Sequence, residues 1–530
     1  MHKFAAVSLA VMLLASSPQG AFAATSPEGA LDLKKQVEEA IAFPLSLGKS
    51  QGQGLTLSGP VEVTQKGDYY EVKLPGAVVI AMQGFKLDVG TILINVTPGN
   101  DGELVAALSL PSSIRAVDAS GALITELKIG EQHFKGTWWP ALAAFTILDA
   151  EYNDISFKAM PEGSFTGSMG SVKAYANLTK NADDTWSGPY GMSGSDMKVK
   201  IGGAVQLDAT VAGFKADSSY DKINLKSRKT MQDNFSQSLE KTLSAGEPTP
   251  EQAGQMVQKM LDSMSGFIDG MGSNVELTGL VLDSKPDPAS TSPTPAFHAK
   301  LDKVGMAFDV KGMLQQTGST SFKLKIDGLN AGEADPTITG MIPNNANFEL
   351  YLENLPMQTL GSSLSSALNG LMGLLGGVGF GAVDPAKQQQ IQDQAQMQMI
   401  QLMATVPQQL VSAGSQISIR NTYTDSPEFD TNLDGQFKAS ATSPVMADGK
   451  LTLSLKGVDE LILKLQSMSQ AANANPSLAN YATMLSMLQV YTKPETSADG
   501  KSVRKLVFEV APDGKLLLNG EPMQGMGPPR

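Results

Sequence analysis

The chain has 530 residues, 42% of them hydrophobic and 18% charged, with no cysteine and a formal charge of −13. That balance excludes a disordered chain, and an acidic excess without any basic cluster excludes a nucleic-acid partner, because a phosphate backbone demands a concentrated basic face. The missing cysteines exclude disulfides, thiolate metal sites, thiol nucleophiles and a bacterial lipid anchor.

Residues 1–23 have the form of a secretory signal peptide. Lys3 supplies the basic start, Phe4 to Ser16 the short apolar region, and Ala21-Phe22-Ala23 an A-x-A cleavage site, so cleavage is expected after Ala23. No twin arginine is present, which favours the general secretory route, and the Cys-free, Gly-rich composition points to a bacterial periplasm. Cleavage removes Lys3 and no acid, leaving a formal charge of −14. No later apolar run reaches the roughly 20 residues that span a bilayer, so the mature protein is not expected to be an integral membrane protein. Long helical blocks between strands, and Arg530 where an aromatic would stand, also depart from an outer-membrane barrel.

Residues 24–225 read as a β-rich region after one amphipathic stretch, Leu31 to Ile41, with Leu31, Leu33, Val37 and Ile41 as its apolar residues. Leu55-Thr56-Leu57, Val61-Glu62-Val63, Tyr70 to Leu74, Lys86 to Val89 and Lys198 to Ile201 alternate apolar with polar, the period of an antiparallel strand with one wet face. Asp101-Gly102, Asp327-Gly328, Asp434-Gly435, Asp448-Gly449, Asp499-Gly500, Asp513-Gly514 and Asn519-Gly520 predict positive-φ hairpin turns.

Residues 226–273 read as a helical insertion. Thr249-Pro250-Glu251-Gln252 is a helix start, followed by a stripe of Met256, Met260, Met264, Phe267 and Met271. Strands return over 274–352, with Phe322 to Ile326 as the clearest, and Pro286 to Pro295 reads as an exposed loop or linker. Residues 353–415 form an apolar helical region: Leu364, Leu368, Leu371, Met372, Leu375 and Val378, then a restart at Asp384-Pro385 carrying Met399, Met403, Val406 and Leu410. Asn354 to Val383 contains no charged side chain. Residues 416–530 are a C-terminal β region, with Leu451 to Leu455 and 503–518 as strands and a helix at about 459–492 carrying Tyr481, Met484, Leu485 and Leu488.

This order predicts an α+β, β-rich fold: a long curved antiparallel sheet with amphipathic Met/Leu-rich helices packed on one face.

Catalytic constellations are thin. After cleavage only His133 and His298 remain as histidines, both on predicted strands, and a strand histidine facing solvent is the plainer account of each. No G-x-S-x-G, H-E-x-x-H or Walker A pattern occurs. S-x-x-K occurs at Ser46, Ser195 and Ser219 without the companion motifs of a penicillin-binding site. Asp430-Thr431-Asn432-Leu433-Asp434-Gly435 fits the first half of an EF-hand loop, but position twelve is Ala441 and the flanks read as strands, so a hairpin turn around Asp434-Gly435 is the plainer account. Trp138-Trp139-Pro140 reads as a core or sheet-edge plug. No catalytic residue, metal or cofactor is assigned.

The 26 methionines are about twice ordinary usage and gather on helical stripes. Flexible thioethers suit either irregular core packing or an adaptable apolar binding surface. If a ligand is bound, the expected contacts are Leu368, Leu371, Met372, Leu375, Met399, Met403, Met260 and Met264.

Lys505 to Val510 followed by Gly514-Lys515-Leu516-Leu517-Leu518-Asn519-Gly520-Glu521-Pro522 resembles the closing strand, turn and L-x-L-N-G-x-P of YdgA-like bacterial envelope proteins. The stretch from Leu108 to Phe157, with Leu110-Pro111, Asp118, Gly121 and Trp138-Trp139-Pro140, is similar to related alphaproteobacterial periplasmic proteins. The resemblance implies a β-rich envelope protein and carries over no catalytic residues. Those proteins often retain their N-terminal apolar segment as an anchor, whereas Ala21-Phe22-Ala23 predicts cleavage here.

The expected function is non-enzymatic binding of a lipid-like ligand or of an envelope protein partner. The alternatives are a structural or assembly role in the cell envelope, and a carboxylate-dependent hydrolase of cell-wall glycan, whose paired carboxylates would be assembled only in space.

Overall fold

A computed structural model describes residues 25–51, 54–80, 86–118, 120–139, 142, 144–159, 165–202, 205–227, 267–286, 296–332, 340–357, 406–470, 476–496 and 502–523. The protein is β-rich, built on a large antiparallel sheet. It divides into two compact units, the first comprising 1–268 and 281–296 and the second 269–280 and 297–530.

In the first unit, α1 (Pro27–Gln51) precedes β1 (Gly54–Thr56), β2 (Glu62–Lys66), β3 (Tyr69–Ile80), β4 (Lys86–Pro98), β5 (Leu104–Ser109), β6 (Ser113–Val117), β7 (Leu123–Lys128), β8 (Glu131–Trp139), β9 (Ala144–Ala159), β10 (Phe165–Asn177), β11 (Thr179–Lys180), β12 (Trp186–Ile201) and β13 (Val205–Ile223). β3 pairs with β1, β2 and β4. The two ends of β4 pair with β5 and β6, and the two ends of β9 pair with β8 and β7, so the sheet forks and closes again before running on through β10, β12 and β13.

Alternation decides which side chains go inside. Tyr70, Val72 and Leu74 of β3 and Ile92, Ile94 and Val96 of β4 are almost wholly buried, with Glu71, Lys73, Asn95 and the exposed Leu93 between them facing out. Leu33, Val37 and Ile41 of α1 join this core, but Leu31 is 69% exposed, a correction to its expected place on the apolar stripe. At 100° per residue it lies about 160° from Leu33 across the helix axis, on the solvent side. Trp138 is buried edge-on against Phe145 at 4.9 Å, while its neighbour Trp139 points to the other face and meets Trp186 at 5.7 Å. Gly136 permits this: a Cβ there would sit 2.7 Å from the Phe145 ring.

β14 (Gly270–Pro286) begins where the helical insertion was expected to end, so Met271 is a strand residue. In the second unit β15 (Phe297–Lys311), β16 (Gly318–Asp327), β17 (Asn345–Leu355), β18 (Gln416–Asp425), β19 (Asp430–Ala439) and β20 (Ala447–Lys456) pair in sequence as an antiparallel meander. Two helices follow, α2 (Val458–Ser469) and α3 (Pro476–Tyr491), in the place expected for a helix. β21 (Lys493–Thr496), β22 (Ser502–Val510), β23 (Leu516–Leu518) and β24 (Glu521–Pro522) complete the unit, with β22 lying between β20 on one side and β21 and β23 on the other.

Asp513-Gly514 and Asn519-Gly520 are turns, and Gly102 and Gly328 also adopt positive φ as expected. Asp434-Gly435 and Asp448-Gly449 are not turns: the first lies inside β19 and the second inside β20. Close packing overrides turn chemistry at Gly435, where a Cβ would fall 2.6 Å from the Lys450 carbonyl oxygen and 2.7 Å from the Leu451 side chain. The absent side chain lets the two strands approach.

Candidate functional site

One face of the second unit's sheet is apolar across successive strands. The register aligns Met306, Leu324 and Phe348 in one row, and Phe308, Phe322, Leu350 and Ile419 in the next. Further along, Leu433 stands beside Leu453, which stands beside Leu506. The intervening residues place charge on the opposite face, where Arg420 lies 4.7 Å from the Tyr351 ring centroid and 3.3 Å from Glu353, and the Tyr351 hydroxyl donates to Glu349. The apolar face is only half covered: Met306, Phe308 and Ile417 are 40–48% exposed. A contiguous exposed apolar surface of this kind is a binding-site signal on a folded protein.

A groove of about 300 Å³ is cut into that face, lined chiefly by Leu324, Phe348, Thr422, Thr431, Leu433 and Leu453. Its cause is local. Between Ile419 and Tyr423, β18 has one residue more than either neighbouring strand, a β-bulge. Asn421 absorbs the extra residue at φ 49°, a left-handed conformation that asparagine tolerates, and the Asn347 side-chain amide donates to its carbonyl oxygen. A bulge bends its strand and interrupts the ladder, and Phe348 lies opposite this one. The threonine hydroxyls of the wall are engaged within the sheet. Thr424 and Thr431 share a 2.8 Å hydrogen bond, while Thr422 donates to the Arg420 carbonyl oxygen and accepts from the Glu349 amide. The groove thus presents hydrocarbon without unmet polar demand.

At the hairpin beside the groove, Asp425 and Asp430 face each other across the strands. Burial pushes the Asp430 carboxyl above its ordinary value, as do its hydrogen bond to Asp425 and that residue's charge, with Lys456 working against them. The Asn345 amide donates to Asp425 at 3.0 Å.

The EF-hand-like run does not form a loop: Asp430, Asn432 and Asp434 alternate along β19, so their side chains are strung out along a strand and cannot converge on one ion. The hairpin-turn account of Asp434-Gly435 fails for the same reason. Among the described residues no cluster of three or more His, Asp or Glu side chains is arranged to hold a metal. His133 lies exposed on β8, 3.5 Å from Asp149, and His298 is an exposed residue of β15. Ser195 is a β12 residue whose hydroxyl meets that of Ser171 at 3.1 Å. No described helix is long and apolar enough to cross a membrane.

Leu368, Leu371, Met372, Leu375, Met399, Met403, Met260 and Met264, the expected ligand contacts, lie outside the described residues, as do the expected signal segment and Pro140. The groove residues were not singled out from sequence, although Leu324, Leu433 and Leu453 sit in segments with visible alternation. What brings them together is register between strands that are up to 129 residues apart in the chain.

Compared with protein-family models, curated proteins and solved structures, the chain matches none of them.

Proposed function

We propose that this is an exported periplasmic protein, without catalytic function, that binds a lipid-like ligand on the apolar face of its second unit. The observation that carries the reading is the bulge-cut hydrocarbon groove between Leu324, Phe348, Leu433 and Leu453 on a sheet face that is only half covered. The export sequence, with its A-x-A site at Ala21 to Ala23, supports the compartment, and the likeness of residues 505–522 to YdgA-like envelope proteins belongs with it.

The size of the groove sets the affinity. It lies at the small end of ligand pockets, so it takes part of an acyl chain, and eight methylenes at about 0.8 kcal/mol each give about 6 kcal/mol, a Kd of tens of micromolar. The test is titration of the purified mature protein with a fluorescent fatty acid, beside the Leu433→Asp and Leu433→Ala variants. Wild type should saturate in that range, Leu433→Ala should bind about tenfold more weakly, and Leu433→Asp not detectably, with far-UV circular dichroism unchanged. Equal binding by all three, or no binding by wild type, would remove the groove as the site.

A further inference from the structure

A second apolar surface belongs to the helix pair. α3 contains no charged side chain from Pro476 to Tyr491. Its inner side is accounted for: Ala482 is buried with Leu461 and Leu465 of α2, and Leu485 and Leu488 pack on Leu455, Val458 and Ile462. Its outer side carries Asn480 and Thr483 but is otherwise apolar, where an ordinary surface helix would be polar or charged throughout. Tyr481, Met484, Met487, Val490 and Tyr491 are 56–80% exposed, and on α2 Leu463 is 66% exposed. At 100° per residue, residues 481, 484, 487, 490 and 491 fall within one half of the helix circumference, which the partly buried Leu488 enters from the packed side. Leu485 and Ala482 occupy the other half.

We infer that this face of α3 is the contact through which two copies of the chain pair about a twofold axis. Area is the first argument. The five α3 residues leave roughly 600 Å² of exposed surface, so a pair buries at most roughly 1,200 Å², the lower bound of a standard specific interface. Charge is the second. An antiparallel pair sets Tyr481 of one copy near Tyr491 of the other, with Met484 and Met487 between. Because the helix carries no charge, this self-contact brings no like charges together, the condition for an isologous interface. Methionine adapts to such a seam, and the tyrosines keep their hydroxyls at its wet rim. A bilayer fits less well: surface-seeking helices carry Lys and Arg on their polar flank to meet anionic lipid, whereas α3 has none and the mature chain is strongly acidic.

Sedimentation equilibrium of the mature protein, from about 1 to 100 µM, tests the inference, since an interface at the low end of area is expected to associate in the micromolar range. Wild type should approach twice the monomer mass. Met487→Glu combined with Val490→Glu should remain monomeric to 100 µM, and Val490→Lys alone should weaken the dimer at least tenfold. Both change exposed helical positions to good helix formers, so circular dichroism and tryptophan emission should stay as in wild type. A monomeric wild type at 100 µM overturns the proposal, as does a dimer indifferent to the double substitution. If the wild type is monomeric yet floats with neutral or anionic phospholipid vesicles, and the double variant does not, the face is a membrane contact instead.

Discussion

Replacing Asp459 by alanine should loosen the second unit and leave the first untouched. Asp459 opens α2, and its carboxylate gathers three donors from two other elements: Nε of Arg504 at 2.8 Å and Oγ of Ser502 at 2.7 Å on β22, and Nε2 of Gln489 at 2.5 Å on α3. It therefore ties the helix pair to the sheet. The Arg504 side chain is only 19% exposed, so truncating Asp459 strands a mostly buried guanidinium. A fully buried unpaired charge costs about 3–5 kcal/mol, and residual solvent access on both partners reduces this to about 2–3 kcal/mol. With a urea m-value of about 2 kcal/mol/M, the midpoint for this unit should fall by about 1 M. The assay uses a fortunate division of probes: Trp138, Trp139 and Trp186 all belong to the first unit, whereas circular dichroism reports both. In Asp459→Ala, the ellipticity should develop an earlier transition while the tryptophan midpoint stays in place. If both midpoints move together, or neither moves, the reasoning is refuted. Acid gives a second check. Burial disfavours the charged form of Asp459, but hydrogen bonds from Arg504, Ser502 and Gln489 outweigh it and hold the carboxyl below its ordinary 3.8. Its stabilisation is complete above that value and is lost as pH falls through the lowered folded-state value, so mutant and wild type should converge in strong acid.

Tyr152 sits in the first unit's core with its hydroxyl buried and, among the described residues, without a hydrogen-bond partner. Tyr152→Phe should therefore raise the urea midpoint followed by tryptophan emission, by about 1 kcal/mol of stability. Burial also pushes the Tyr152 phenol up to about 12. The unfolded chain loses that proton first, so wild-type stability should fall as pH rises from about 10 to 12, and the phenylalanine variant should be spared this part of the loss. Asp430→Asn should stabilise the second unit at neutral pH by up to about 1 kcal/mol, the scale of an exposed like-charge cross-strand pair. Because the folded-state value of Asp430 is raised, its penalty exists above that value and disappears as pH falls through it. The advantage of the variant, measured by urea titration at stepped pH, should fade in the same direction.

Much of the architecture was legible in the chain. The period-2 runs at Tyr70 to Leu74, Phe322 to Ile326 and Leu451 to Leu455 became strands, and the pattern after Asp459 became the α2–α3 pair, because burial on one face demands a pattern that local sequence displays. Leu31 and the Asp434-Gly435 and Asp448-Gly449 pairs were misread, since exposure around a helix and close approach between strands depend on neighbours distant in the chain. The exposed methionines of α3 show the same limit. A stripe of Met484 and Met487 looks alike in sequence whether it faces a core or water, and only the position of α2 decides that Leu485 packs while Met484 does not.

The sequence by itself determined a β-rich acidic chain without thiol chemistry, and it placed the alternating strands whose apolar faces had to be buried or used. The tertiary structure decided where hydrocarbon is left over. The groove exists because one extra residue at Asn421 shifts the register of β18 against β17 and β19, and the α3 face exists because α2 covers only half of an uncharged helix. The first depends on pairing between strands distant in the chain and the second on how two neighbouring helices dock, and a local pattern encodes neither the pairing nor the docking that completes it.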